Sequence, residues 1–388
     1  MPVMTPWHDG EISLDPCVPL DVALKAVPAK WCVYLMSDEA DRPVQLLCVR
    51  NLRASLKRRL GEGDVAGPSK RVDYRQLVRH VRWKRVDNPL ESDLAYLDVA
   101  RAVYPSTYKK IVTLRPAWWV HVDTDADYPR WRVADDPLPG CGTSFGPIAE
   151  KGQAGRLVEK LEDAFDLCRY YNVLVQSPTG QPCAYKDMGK CPGPCDGSVS
   201  MQQYRTLVDW SLRTLADPQH EIELQNDRMR DAAGEMRFEL AGKIKAFIEQ
   251  IKGLTAGDYR FVRPAGRFAF VSVQQGPAKG KVKLSHVTLA GPTERLGLIA
   301  EPSAWPDLSP PPAVVKTDHE RIGLIVAQLM SPKTGGVFLP ESQWTRQALV
   351  AAYKAVAKQV VERPAEDEGV VKEATAGLVP VPGTAAEN

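Results

Sequence analysis

Apolar and polar positions alternate between two regimes along the chain. Trp31–Met36 and Val44–Val49 are short runs of strand-forming residues around the polar stretch Ser37–Pro43, a pattern that predicts a β-hairpin. Asn51–Leu60 then switches to helical spacing, with Leu52, Leu56 and Leu60 at i, i+4 and i+8. Asn88-Pro89-Leu90-Glu91 is a helix start: Asn caps, Pro takes the first helical position, and Glu can reach back toward the cap. The helix it opens carries Leu94, Leu97, Arg101 and Tyr104 on one face, with Asp98 beside them, and stops before Pro105. Ala154–Leu167 predicts another helix.

Asp217-Pro218 opens a longer helical region. Met229, Ala232, Ala233 and Met236 form one stripe, and Leu240, Ala241, Ile244, Phe247, Ile248 and Ile251 form a second. Two short helices cannot bury such stripes alone, so they predict a helical hairpin that packs inward or offers a face to a partner. Arg267–Val273 and Lys281–Val287 are strand-like around a Gly/Pro/Lys turn, with Gly297–Ala300 as a further strand. Trp305–Ala313 reads as a linker, and Asp318–Met330 and Glu341–Val361 as helices. The expected plan is α+β: an N-terminal extension (1–20), a small α/β module (21–115), a connector (116–199), a helical region (200–255), a small β unit with helices (256–363) and a disordered tail (364–388).

Composition narrows the class little. The 388 residues suffice for two to four domains, and the formal net charge is +2. No apolar run has the length of a membrane span, and the N-terminus lacks a basic region followed by an apolar stretch. A cytoplasmic protein with no membrane partner is expected, its cysteines reduced or metal-bound. Charge is informative only locally. Residues 50–85 hold twelve Lys or Arg against three acids, an excess of +9, with Tyr74 and Trp83 interleaved. Arg50, Arg53, Lys57, Arg58 and Arg59 are the candidate contacts to DNA backbone phosphates; the plain alternative is a solvated face that balances acids elsewhere.

Cysteine spacing carries the strongest chemistry. Cys183, Cys191 and Cys195 are separated by seven and three residues, and Cys168 precedes them with fourteen between. Four thiolates can enclose an iron–sulfur cluster or a zinc ion. Pro192, Gly193 and Pro194 make the last loop compact, which favours metal ligands over three cysteines buried by chance. Cys17, Cys32, Cys48 and Cys141 lack ligand spacing and read as packing residues.

Cys183-x7-Cys191-x3-Cys195, followed by Asp196-Gly197 and the helical start Ser200–Tyr204, resembles UvrC, the excinuclease subunit of bacterial nucleotide excision repair. The resemblance implies a [4Fe–4S] cluster on Cys168, Cys183, Cys191 and Cys195. Phe165-Asp166-Leu167 runs straight into Cys168, two places earlier than the family's first cysteine. Val27–Tyr34, Leu46-Leu47-Cys48, Asn51-Leu52-Arg53 and Glu91–Asp98 resemble in turn the segments of the family's GIY-YIG nuclease module. Tyr128-Pro129-Arg130 and Phe145-Gly146-Pro147 match two short signatures, and Phe238-Glu239-Leu240-Ala241-Gly242 resembles the UVR motif, the hairpin that binds UvrB.

The resemblance implies a nuclease that holds one divalent metal on a carboxylate and uses tyrosines and a cation on the phosphate. Tyr34 and Asp98 are the positions that retain suitable groups. Leu46, Val49 and Ser55 stand where the family has tyrosine, lysine and arginine. The implied protein is a UvrC-related repair accessory that binds DNA, or a UvrB-like partner through Phe238 and Glu239, with an impaired nuclease site. Two alternatives are an active endonuclease that needs magnesium, and a metal-cluster scaffold that does not touch DNA.

Overall fold

The computed structural model describes residues 7–61, 74–299, 317–331, 335–358 and 370–375. It is a mixed α+β structure built on three sheets. The expected linker Trp305–Ala313 lies outside the described residues.

The first sheet contains β1 (Gly10–Ser13), β2 (Cys32–Ser37), β3 (Pro43–Val49) and β4 (His80–Arg85). Helices α1 (Leu20–Ala23), α2 (Leu52–Leu60), α3 (Tyr74–Leu77), α4 (Pro89–Val103) and α5 (Tyr108–Ile111) are interspersed. Local chemistry sets the helix starts. Asn51 accepts a hydrogen bond from the Ala54 amide, and Asn88 accepts one from the Glu91 amide. The Glu91 carboxylate accepts from the Asp87 amide, one residue before the cap. Because side chains alternate across a strand, β2 feeds two cores. Val33 and Leu35 pack with Tyr96, Leu97 and Val99 of α4. Tyr34 and Met36 pack with Leu52 and Leu56 of α2 on the other face.

The middle of the chain forms β5 (Trp118–Val122), β6 (Arg132–Ala134) and β7 (Thr143–Ile148), then α6 (Lys151–Ala164), α7 (Tyr171–Leu174), α8 (Ala184–Asp187), α9 (Met201–Ala216), α10 (Pro218–Gly234) and α11 (Phe238–Gly253). Ser200 and Gln203 form a reciprocal capping box on α9. Phe145, Leu157, Leu161, Tyr204, Val208 and Leu254 share one hydrophobic core. The expected boundary at residue 200 therefore does not divide two cores, because Tyr204, Val208 and Leu215 of α9 share the core with α6, which packs on the middle sheet. α10 and α11 pack as an antiparallel pair.

The C-terminal part adds β8 (Arg263–Pro264), paired to β7, and a four-stranded sheet of β9 (Phe270–Gln275), β10 (Val282–Thr288), β11 (Gly291–Ile299) and β12 (Val337–Pro340), with α12 (His319–Met330) and α13 (Arg346–Ala357). α12 lies against α4. Gly323 of α12 permits a close approach to the segment before β5, since an added Cβ would stand 2.1 Å from the Arg115 carbonyl oxygen. Phe268, Phe270, Ile322 and Ile325 form a core with Leu90 and Trp119, which ties this unit to both preceding ones.

Two terminal segments depart from expectation. Gly10–Ser13 pairs with β4, although four residues are too few to show a period. β13 (Val370–Thr375) falls inside the expected disordered tail and pairs antiparallel with β3. It covers an edge whose backbone groups would otherwise lack partners in the sheet.

Candidate functional site

The two expected catalytic residues stand on opposite faces of the first sheet. Tyr34 is fully buried under α2, and its hydroxyl shares a 2.8 Å hydrogen bond with Ser55 Oγ. Asp98 projects from α4 on the far side, where it accepts a 2.6 Å hydrogen bond from Arg321 Nη2 of α12. Leu46 faces α4 rather than Tyr34. The structure does not bring Tyr34 and Asp98 together.

Asp98 belongs to an ionic seam between α4 and the C-terminal unit. Lys283 of β10 reaches Glu91 and Asp87, each at 2.6 Å. Asn88 Nδ2 donates to the Gln275 carbonyl at 3.0 Å, and Gln328 Nε2 donates to Asp93 at 2.7 Å. Lys372 of β13 reaches Asp93 at 2.5 Å. Arg101 donates twice to Asp318, each at 2.8 Å, and also holds Glu320. Burial alone would raise the Asp318 and Glu320 carboxyls, but the Arg101 guanidinium outweighs it and holds both below their ordinary values. A cleft of about 210 Å³ runs along this seam, lined by Lys84, Glu91, Asp98, Lys283 and Arg321. The acids were visible in α4, but their cations lie roughly two hundred or more residues away, and no local pattern pairs them.

The basic stretch divides. Arg50, Arg53, Lys57 and Arg58 are exposed on or beside α2, while Arg59 is half-buried and donates to Gln45 at 3.2 Å. Acids from outside the stretch offset part of its excess. Asp21 pairs with Lys57, Glu11 and Asp41 with Arg82, and Asp9 with Arg85. Arg53 donates to the Val27 carbonyl at 2.8 Å. Trp83 is 7% exposed and packs in the α2 core with Tyr74 beside it, so the interleaved aromatics are not a surface platform. Residues 62–73 lie outside the described residues.

Around the cysteines, three thiols gather. Cys168, Cys191 and Cys195 are buried, and Cys183 is half-buried at the start of α8. The Cys168 Sγ donates to the Tyr170 carbonyl at 3.6 Å; interaction with Cys191, with burial and the like charge of Cys195 adding to it, pushes the Cys168 thiol up, and Cys168 in turn lowers Cys191 to about 6. Loop contacts tie the segments on either side of Cys183 to the Cys195 loop. The Gly180 amide donates to the Cys195 carbonyl at 2.8 Å, and Lys186 of α8 pairs with Asp196. Among the described residues no group of three or more His, Cys, Asp or Glu side chains is arranged to hold a metal ion. The donor chemistry, four soft sulfurs in one loop-rich region, still suits a cluster or zinc. Of the four remaining cysteines, Cys32 and Cys48 are buried as expected, but Cys17 and Cys141 are exposed on loops and do not pack.

The hairpin is anchored at one end only. Phe247 contacts Phe165 and Trp210, and Ile248 and Ile251 are buried. At the other end Met236 turns the chain with φ +57°, and Met236 and Phe238 are 75% and 67% exposed. Glu239 is exposed beside them.

Residues 117–214 match the family described as the UvrC/Cho excinuclease, middle domain. The chain is UvrC-like, and the matched residues lie at its centre. UvrABC system protein C of Lachnospira eligens is 23% identical over 244 residues, 60% of this chain and 38% of that protein. The protein of the same name from Trichormus variabilis is 24% identical over 241 residues, 61% and 38% of the two chains. That from Geobacter sp. strain M21 is 23% identical over 272 residues, 68% and 41%. The matches thus span about two fifths of the length of these relatives. No solved structure matches. No helix among the described residues is long and apolar enough to cross a membrane.

Proposed function

We propose that the chain is a DNA-repair accessory protein that binds DNA and a UvrB-like partner without cutting DNA. The observation that supports the missing cleavage is the fate of its two surviving catalytic positions. Tyr34 is sealed under α2 against Ser55, and Asp98 is committed to Arg321. A GIY-YIG reaction needs a metal, its carboxylate and an activating group at one place, and catalytic groups that act as a unit lose far more when several are gone. DNA binding rests on the exposed Arg50, Arg53, Lys57 and Arg58 around α2, with Arg59 behind them. Partner binding rests on the exposed tip at Phe238 and Glu239.

A [4Fe–4S] cluster, with zinc as the alternative, would be held by Cys168, Cys183, Cys191 and Cys195. It would cross-link a region whose helices α7 and α8 are only four residues each. Anaerobic purification with iron and zinc analysis decides between the two metals.

The test of the function is equilibrium binding of a bubble duplex at rising salt. Phosphate contacts predict affinity that falls steeply with salt and little preference for sequence. Replacing Lys57, Arg58 and Arg59 together with Glu should weaken binding. Affinity indifferent to salt and to that triple substitution would overturn the DNA-binding reading.

A further inference from the structure

Arg263 and Arg267 line a cleft of about 570 Å³ together with Ala216, Pro264, Glu341 and Ser342. The cleft lies where β8, at the edge of the middle sheet, meets the turn after β12. It is remote in sequence from the basic stretch around α2, and nothing in the seam along α4 uses it.

Arg263 is held in an unusual setting. Its guanidinium lies over the Phe270 ring at 4.7 Å, and its Nε donates to the Phe261 carbonyl at 3.1 Å. Burial pulls its pKa down, with the Glu341 charge acting weakly the other way. Among the described residues neither Arg263 nor Arg267 has a carboxylate within ion-pair distance. Burying a cation is costly unless it gains partners, and a cation–π contact with one backbone acceptor recovers only part of that cost. The arginine fork carries five N–H donors, and among the described residues only the Nε of Arg263 has a protein acceptor. Arg267, exposed at the same cleft, brings a second fork. Two guanidinium groups facing one open cleft match the oxygens of a phosphate group, which accepts paired N–H donors.

We infer that Arg263 and Arg267, with the Ser342 hydroxyl, form a binding site for a backbone phosphate of a nucleic-acid strand, outside the α2 surface. The inference rests on the DNA-binding reading and extends it to the C-terminal unit. Phosphate contacts position a strand without reading its bases. Glu341 lines the same cleft, and its carboxylate opposes an arriving phosphate, so this residue tunes the site downward.

The experiment measures fluorescence anisotropy of a labelled bubble duplex against the full chain, with affinity plotted against salt. Arg267→Gln should weaken binding and reduce the magnitude of the salt slope by about 0.7–0.9, the value of one lost phosphate contact. Glu341→Gln should tighten binding. Both side chains are exposed, so neither change should alter the fold. Arg263→Gln packs against Phe270 and is read alongside its thermal melt; the two surface variants keep the test decisive if it fails to fold. Salt-dependent binding by the intact protein that neither Arg267→Gln nor Glu341→Gln alters would overturn this site and leave the α2 surface standing. Absence of DNA binding by the intact protein would overturn both.

Discussion

Arg321 reaches from α12 to α4 and donates to Asp98 at 2.6 Å, so the carboxylate that the family resemblance would assign to a metal is joined to a cation from the same chain. The pair sits beside Lys283–Glu91 and Arg101–Asp318 in a single seam. A structural ion pair here replaces what the family resemblance would assign to a metal.

Breaking this pair should cost stability. Arg321→Ala leaves the half-exposed Asp98 without its donor, a loss of about 1 kcal/mol because water can replace part of the contact. Asp98→Ala should cost a similar amount, and the double variant less than the sum of the two. Urea midpoints at constant slope measure all three. Strict additivity would show that Arg321 and Asp98 are independent.

Acid should loosen the seam. Asp318 and Glu320 are held below their ordinary values of 3.8 and 4.5 by Arg101. A depressed carboxyl contributes stability above its unfolded pKa and loses it as pH falls through the folded one. The contribution of both groups is therefore complete above about pH 4.5 and fades below it. Arg101→Gln should flatten this acid limb of the stability profile. An unchanged limb in that variant would assign the acid sensitivity elsewhere.

The cysteine region should bind iron. Protein purified without oxygen should carry four iron atoms per chain and visible colour, and Cys183→Ser or Cys191→Ser should lose both, whereas Cys17→Ser should not. Zinc without iron would replace the cluster and keep the ligands. Neither metal would remove the site.

At the hairpin tip, Phe238→Ala should change stability by less than about 0.5 kcal/mol, because the ring is 67% exposed. The same substitution should cost about 2 kcal/mol or more in binding to a UvrB-like partner, as buried aromatic anchors do. Calorimetry with purified partner reads the second quantity. Equal affinity of the variant and parent proteins would move the contact off the tip.

The sequence was most legible where the chemistry is local. Asn88 caps its helix as expected, the helices expected at Asn51 and Asp217 start there with those residues as caps, and Leu52, Leu56 and Leu60 are buried at their predicted spacing. The strands at 270–275 and 282–288 overlap their predicted runs, because alternation with β-branched residues marks them. What depended on distant partners was hidden. β13 pairs with a strand more than three hundred residues earlier, and the cations of the α4 seam come from β10, α12 and β13. Counterions were hidden as well: Lys57 of α2 and Arg82 and Arg85 of β4 pair with Asp21, Glu11, Asp41 and Asp9, all upstream of the basic stretch. Arg263 drew no notice in the sequence, since only the fold sets it over Phe270 at the edge of a cleft.

The central claim is binding without cleavage, and a labelled bubble duplex incubated with saturating protein and magnesium or manganese tests it most directly. On a denaturing gel the strands should remain full length, under salt conditions where anisotropy shows the duplex bound. Strand cleavage that disappears in both Tyr34→Phe and Asp98→Asn would contradict the account and show that these residues form a working site.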